Sequence, residues 1–147
     1  ALPILMNGGY QRGISRLKHA SFYKIDVKGF NLSQLLTKNY SDRLKNLKFI
    51  KTDLEGSDYM VFLTIKDIII QYMPVIQSEI NGVMPRSVRV DYIKELKAIG
   101  YSIFSLNSEM LDSIQILTRA MINSKDTFDI FAIPTNMLEK FKDLNIK

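Results

Sequence analysis

Over SFYKIDVK, residues 21–28, apolar and polar positions alternate. Tyr23, Ile25 and Val27 fall to one side and Lys24, Asp26 and Lys28 to the other. A period of two marks a strand with one buried face, and Gly29 ends it. The spacing then changes. Leu32, Leu35, Leu36, Tyr40, Leu44 and Leu47 recur at helical intervals, with Asn31 placed to cap the helix and Gln34 three residues further on. Residues 47–52 (LKFIKT) and 59–63 (YMVFL) are short β-prone runs around DLEGSD, which predicts a hairpin turning near Gly56. From Thr64, the residues Ile65, Ile68, Ile69, Tyr72, Met73 and Ile76 form an apolar face interrupted by Pro74. A proline in a helix interior removes a backbone donor and clashes with the preceding turn, so the pattern predicts one helix before Pro74 and a second from it to about Asn81-Gly82.

The next stretch predicts a helix from Arg86 to Ile99, entered after Pro85 and ended by Gly100, then a strand from Tyr101 to Leu106. Met110, Ile114, Leu117 and Met121 predict an amphipathic helix capped by Asn107 or Ser108. FDIFAI, 128–133, reads as a buried strand, and Thr135 as the cap of a closing helix with Met137, Leu138, Phe141 and Leu144 inward. Together these elements predict an α+β protein: residues 1–20 as a basic N-terminal arm and 21–147 as one compact domain. That domain would hold a three-helix centre, a β-hairpin and a C-terminal helix-strand-helix.

Composition narrows the classes of function. The chain has 147 residues, enough for one core, and 46% apolar with 24% charged residues argues against wholesale disorder. It has no cysteine, which removes disulfides, thiolate metal sites and thiol catalysis together. Its only histidine, His19, stands in the basic arm without an evident carboxylate partner, which argues against histidine triads and multi-histidine metal sites. No apolar run approaches the roughly 20 residues needed to span a bilayer. The opening ALPILMNGGYQ lacks the leader and cleavage pattern of a secretory signal, so the expected location is cytoplasmic, or virion-associated for a phage or viral protein.

Charge is unevenly placed. Residues 1–52 hold ten Lys or Arg against two acids, whereas residues 53–147 hold ten against thirteen, within a net charge of +5. A basic third beside a mildly acidic remainder is what a polyanion-binding surface requires, because neutralising phosphates releases counterions. A lysine-rich solvated surface carries the same signature.

The run QSEINGVMPRSVRVDYIKELKAIGYSI, Gln77 to Ile103, resembles the second helix, turn and recognition helix of winged helix-turn-helix proteins. Ser78-Glu79-Ile80 stands where the second helix begins, Val83 sits in the turn, and Pro85-Arg86-Ser87-Val88 opens the third helix. Ile93-Lys94-Glu95-Leu96, then Gly100-Tyr101, leads toward the wing. The resemblance covers about residues 64–106. It implies that the third helix lies in a DNA major groove with its first residues on base edges. Winding that helix puts Val88, Tyr92, Leu96 and Ile99 within an arc of about 80° facing the core. Arg86, Ser87, Lys94 and Lys97 then point outward, with Arg89 at the border.

These readings lead to one principal expectation: a non-enzymatic protein that binds nucleic acid, DNA before RNA. Arg86, Ser87, Arg89, Lys94 and Lys97 would approach bases, while Arg12, Arg16, Lys18, Lys45 and Lys48 would hold backbone phosphates, with no cofactor and no metal. The alternative is an interaction or structural protein, such as a phage or viral assembly component or a small inhibitor, whose basic arm docks on an acidic protein surface; homo-oligomers fit either case. A third option is a metal-dependent nuclease, which needs Asp53, Asp67 and Glu95 to converge. Asp53, Glu55 and Asp58 also offer hard oxygens to a divalent cation, although turns favour such residues for their local backbone bonds.

Overall fold

The computed structural model describes residues 29–106 and 114–143. The basic arm, with Arg12, Arg16 and Lys18, and the strand expected at 21–28 lie outside the described residues. Helix α1 (Leu32–Asn39) starts where the sequence places it: the Asn31 side chain accepts a hydrogen bond from the Gln34 backbone N–H at 3.0 Å. A break at Tyr40 separates it from the short α2 (Ser41–Leu44). Then follow β1 (Phe49–Thr52), α3 (Asp58–Tyr72), β2 (Val75–Ile80), α4 (Arg86–Ala98) and β3 (Tyr101–Leu106). β4 (Ile114–Ile116), α5 (Arg119–Asn123), β5 (Phe128–Pro134) and a closing 3₁₀ helix (Thr135–Phe141) complete the described chain. This is a mixed α+β domain built on one five-stranded sheet, ordered β1-β2-β5-β3-β4.

The pairings fix the directions. β1 runs parallel to β2, with Phe49 opposite Val75 and Thr52 opposite Ser78. β5 lies between β2 and β3, antiparallel to both, so β1, β2 and β3 all point one way. The helices α3 and α4 connect those three strands. Parallel neighbours require such crossovers, since a tight turn cannot return the chain to the same end of the sheet. The carboxyl ends of β1, β2 and β3 therefore share one edge. The loop entering β5 joins them there, because Phe128 pairs with Ile80.

Two apolar layers sandwich the sheet. Ile76 and Ile80 of β2, Ile130 and Ala132 of β5, and Tyr101 and Ile103 of β3 pack with Phe62, Ile65 and Ile69 of α3 and Tyr92, Ile93 and Leu96 of α4. Val75, Leu106, Ile114, Phe131 and Ile133 form the opposite layer, under Met137, Leu138 and Phe141 of the 3₁₀ helix. β2, β3 and β5 alternate between the two layers, as the period of two demands.

Four expected elements differ from those observed. The hairpin is instead β1 followed by helix: YMVFL continues into a 15-residue apolar helix with Phe62, Ile65, Ile68 and Ile69 buried. A run this long is a helix rather than a strand, and its first five residues alone do not reveal that. The second helix of the three-helix centre, from Pro74 to Asn81, is strand β2. Met73 closes α3 in the left-handed region at φ 46°, Pro74 prevents continuation, and VIQSEI then alternates. Residues 77–103 thus present a strand, a turn, a helix and a strand. Finally, 114–116 is a strand hydrogen-bonded to β3, so among the described residues of the helix expected across Met110–Met121 only 119–121 are helical, within α5; its cap and first turn lie outside the described residues. The closing element is 3₁₀ rather than α.

Candidate functional site

Of the ten residues chosen from sequence, the seven that are described separate. Arg89 is 2% exposed. Its Nε donates to the Met84 carbonyl at 3.2 Å, Nη2 to the Gly82 carbonyl at 2.8 Å, and Nη1 to the Ser124 carbonyl. Arg89 therefore does not approach bases. A buried guanidinium is tolerable only when it is well hydrogen-bonded, and here backbone acceptors from two loops meet each of its three nitrogens. Arg86 is exposed at the start of α4 and its Nε donates to Asn123 Oδ1 at 2.5 Å. Ser87, Lys94 and Lys97 are exposed along the same helix, and Lys97 lies about 16 Å from Arg86 along the axis. Lys45 and Lys48 are exposed just before β1. Arg86 and Ser87 thus sit at the carboxyl edge of the sheet, and Lys45, Lys48 and Lys97 at the amino edge.

The carboxyl edge holds the densest polar constellation among the described residues. Asp58, fully buried in the first turn of α3, accepts from the Leu54 backbone N–H at 3.2 Å and from Ser78 Oγ at 3.4 Å. Ser78 Oγ in turn accepts from Thr52 Oγ1 at 2.9 Å and from the Tyr92 hydroxyl at 3.1 Å. One hydroxyl, fully used, thereby joins β1, β2, α3 and α4. Burial pushes the Tyr92 phenol above its ordinary pKa, so it remains a donor. Its ring packs on Tyr59 and Phe62 at centroid separations of 5.3 and 5.1 Å.

Above this hub stand Glu55 and Glu79. Glu55 sits in the turn after β1 at φ 52°, a left-handed conformation that a residue other than glycine holds at a cost of about 1 kcal/mol, and Gly56 follows at φ 95°. At the end of β2, Asn81 Nδ2 donates to Glu55 Oε2 at 3.1 Å and to Glu79 Oε2 at 2.9 Å, while its Oδ1 accepts from the Val83 N–H. One amide thus gathers two carboxylates. Burial raises the pKa of Glu79; the Asn81 bond opposes this, and the nearby Asp53, Glu55 and Asp58 add to it.

Beside this cluster the loop after β2 meets the loop before β5. Gly82 N–H donates to Thr127 Oγ1 at 2.8 Å, and a Cβ on Gly82 would stand 2.3 Å from the Lys125 carbonyl oxygen. Arg89 ties the same two loops from beneath. Against them opens a groove of about 380 Å³ lined by Ala120, Met121, Ser124, Asp126, Thr127 and Phe128.

The carboxylates considered for a nuclease have other surroundings. Glu95 pairs with Lys66 of α3, Asp67 is exposed on that helix, and Asp53 belongs to the carboxyl-edge turn. Among the described residues, no group of three or more His, Asp or Glu is arranged to hold a metal ion, and no helix is long and apolar enough to cross a membrane. Ser78, Glu79, Asn81 and Thr52 escape sequence reasoning, because VIQSEI taken as helix scatters them; read as a strand, it sets Glu79 and Asn81 at the carboxyl end. No family model, curated protein or solved structure matches the chain.

Proposed function

We infer that this domain binds a small molecule rich in hydrogen-bond donors, bearing hydroxyls or a cationic nitrogen, at the carboxyl edge of its parallel strands. In open sheets with parallel strands, ligands lie in the crevice outside those carboxyl ends, where loops diverge and strand backbones end. The observation that carries the reading is the pairing of Glu55 and Glu79 on Asn81. The charged groups acting on Glu79 are all anionic, and the Asn81 amide is the donor bonded to the pair, so acceptor positions on the two carboxylates remain open to a ligand. A bound hydroxyl or ammonium donates to them. Glu79, with its raised proton affinity, is the group suited to take a proton from such a hydroxyl. Binding to the folded state raises its melting temperature. In a thermal-shift panel of sugars, nucleosides and amines with carboxylic acids as controls, the donor-rich members stabilise the wild-type chain, and E79Q and N81A suppress the effect. Equal responses of wild type and both variants across the panel overturn the reading.

A second reading, nucleic-acid binding, is favoured by the opposite edge. Lys45 and Lys48 flank the start of β1 and Lys97 precedes β3, so three exposed cations share the amino edge, away from the carboxylates. Phosphate contacts of this kind weaken steeply with salt. Anisotropy of labelled duplex DNA and single-stranded RNA at two salt concentrations tests it. Binding lost in the K45E/K48E/K97E variant supports the reading, and no binding at low salt removes it.

A further inference from the structure

We propose that the groove between α5 and the start of β5 is a second part of the same ligand site, one that takes an aromatic or compact apolar group carrying a cationic nitrogen. The inference rests on the carboxyl-edge reading and extends it to a different part of the ligand. The groove adjoins the cluster: Thr127 on its wall is hydrogen-bonded to Gly82, the residue next to Asn81. Its apolar lining is chemically distinctive. Met121 and Phe128 are both half-buried, and a polarisable thioether beside an aromatic ring favours a flat or apolar guest over a polar one. Asp126 is the one charged side chain in the lining; it is exposed and makes no ion pair among the described residues. Lys125, Arg119 and Arg86 stand nearby but outside the lining, so Asp126 is the charge a guest meets directly, and it would pair with a cationic nitrogen. Ser124 and Thr127 add no competing charge: the Ser124 hydroxyl donates to the Met121 carbonyl at 2.9 Å, and Thr127 Oγ1 accepts from Gly82.

The groove is also held open by construction. Arg89 fastens the Gly82, Met84 and Ser124 carbonyls together, so the wall formed by residues 124–127 is tied to the loop that carries Asn81. A guest volume of about 380 Å³ accommodates a single ring with a short arm.

Two methionines make the test selective. The Met121 methyl reports on the groove, and Met84, whose Cγ would lie 3.5 Å from a Cβ placed on Gly56, reports on the Glu55 turn. The full chain with ¹³C-methyl methionine is titrated with phenethylamine, with phenylacetate as the same body of opposite charge, and with ethylamine as the head alone. A saturable shift of the Met121 signal is expected with phenethylamine and not with phenylacetate. It should be weakened at least about fivefold by D126N, the loss of one charge-assisted contact. A120F, which fills the groove from an exposed helical position, should abolish it while leaving the other methyl signals in place. No saturable Met121 shift, or equal shifts with phenylacetate, overturns the proposal. A Met84 shift without a Met121 shift overturns the groove and leaves the carboxylate site standing. A Met121 shift without a Met84 shift supports the groove, and the thermal-shift panel with E79Q and N81A then decides the carboxylate site separately.

Discussion

Arg89 Nη2 donates to the carbonyl of Gly82 at 2.8 Å, from a side chain enclosed beneath the loop it binds. The same guanidinium reaches Ser124, 35 residues away in sequence, so one residue of α4 keeps two loops of the carboxyl edge in register. R89M leaves one buried and two part-buried carbonyls without this partner and should cost on the order of 2–4 kcal/mol, whereas R89K, with a single point of attachment, recovers only part of this. Urea unfolding of the three proteins gives the order wild type, then R89K, then R89M. Equal midpoints would show that the clamp contributes nothing.

Glu79 supplies a pH signature. Its pKa is raised in the folded state, mainly by burial, so folding favours the protonated carboxyl. Its stabilising contribution is present below the ordinary carboxylate pKa and is lost as pH rises through the raised value. E79Q, which keeps an acceptor for Asn81 and never ionises, should therefore melt higher than wild type at pH 7 and nearly level with it at pH 4. Melting curves at the two pH values decide; a larger difference at pH 4 would contradict the sign.

Ser78 accepts two hydrogen bonds and donates one in a fully buried setting. S78A strands Thr52, Tyr92 and Asp58 at once and should cost about 2–3 kcal/mol, while Y92F removes one donor and should cost about 1 kcal/mol. The double variant S78A/Y92F should fall short of the sum, because both changes break the same bond. Additive losses in chemical denaturation would mean that the two hydroxyls act independently.

Gly82 allows a backbone-to-backbone approach. A methyl group there would meet the Lys125 carbonyl oxygen at 2.3 Å, and neither partner is the end of a flexible side chain. G82A should destabilise by roughly 2 kcal/mol or more and expose the loop amides of residues 124–127 to hydrogen exchange. Protection there unchanged from wild type would place the strain elsewhere.

Much of the fold is legible from local pattern. Pro85 and Gly100 bracket α4 in sequence as they do in space, and the Tyr101–Leu106 and Phe128–Ile133 strands follow from short apolar runs beside a turn residue. The failures share a cause. Residues 59–63 and 74–80 are apolar in a way that serves either period, and the choice is made by partners far along the chain: β2 is a strand because β1 and β5 flank it. That partnership also decides the site. Asp53, Glu55 and Asp58 are visible as a turn cluster, but Glu79 and Asn81 join them only once residues 75–80 are extended and aligned with β1. Arg89 illustrates the converse: helical winding leaves it at the border between core and surface, and the carbonyls of Gly82 and Ser124, which no periodicity reveals, draw it inward.

The position of β5 governs when this protein can become a protein. β2 and β3 share no hydrogen bonds with each other and meet only through a strand spanning residues 128–134, the last of the five in sequence. Without it, β2 and β3 each display a raw sheet edge and both apolar layers lose their central strand. The sheet therefore closes only when residues 128–134 are in place, and a truncation just before Phe128 should yield aggregation rather than a smaller working unit.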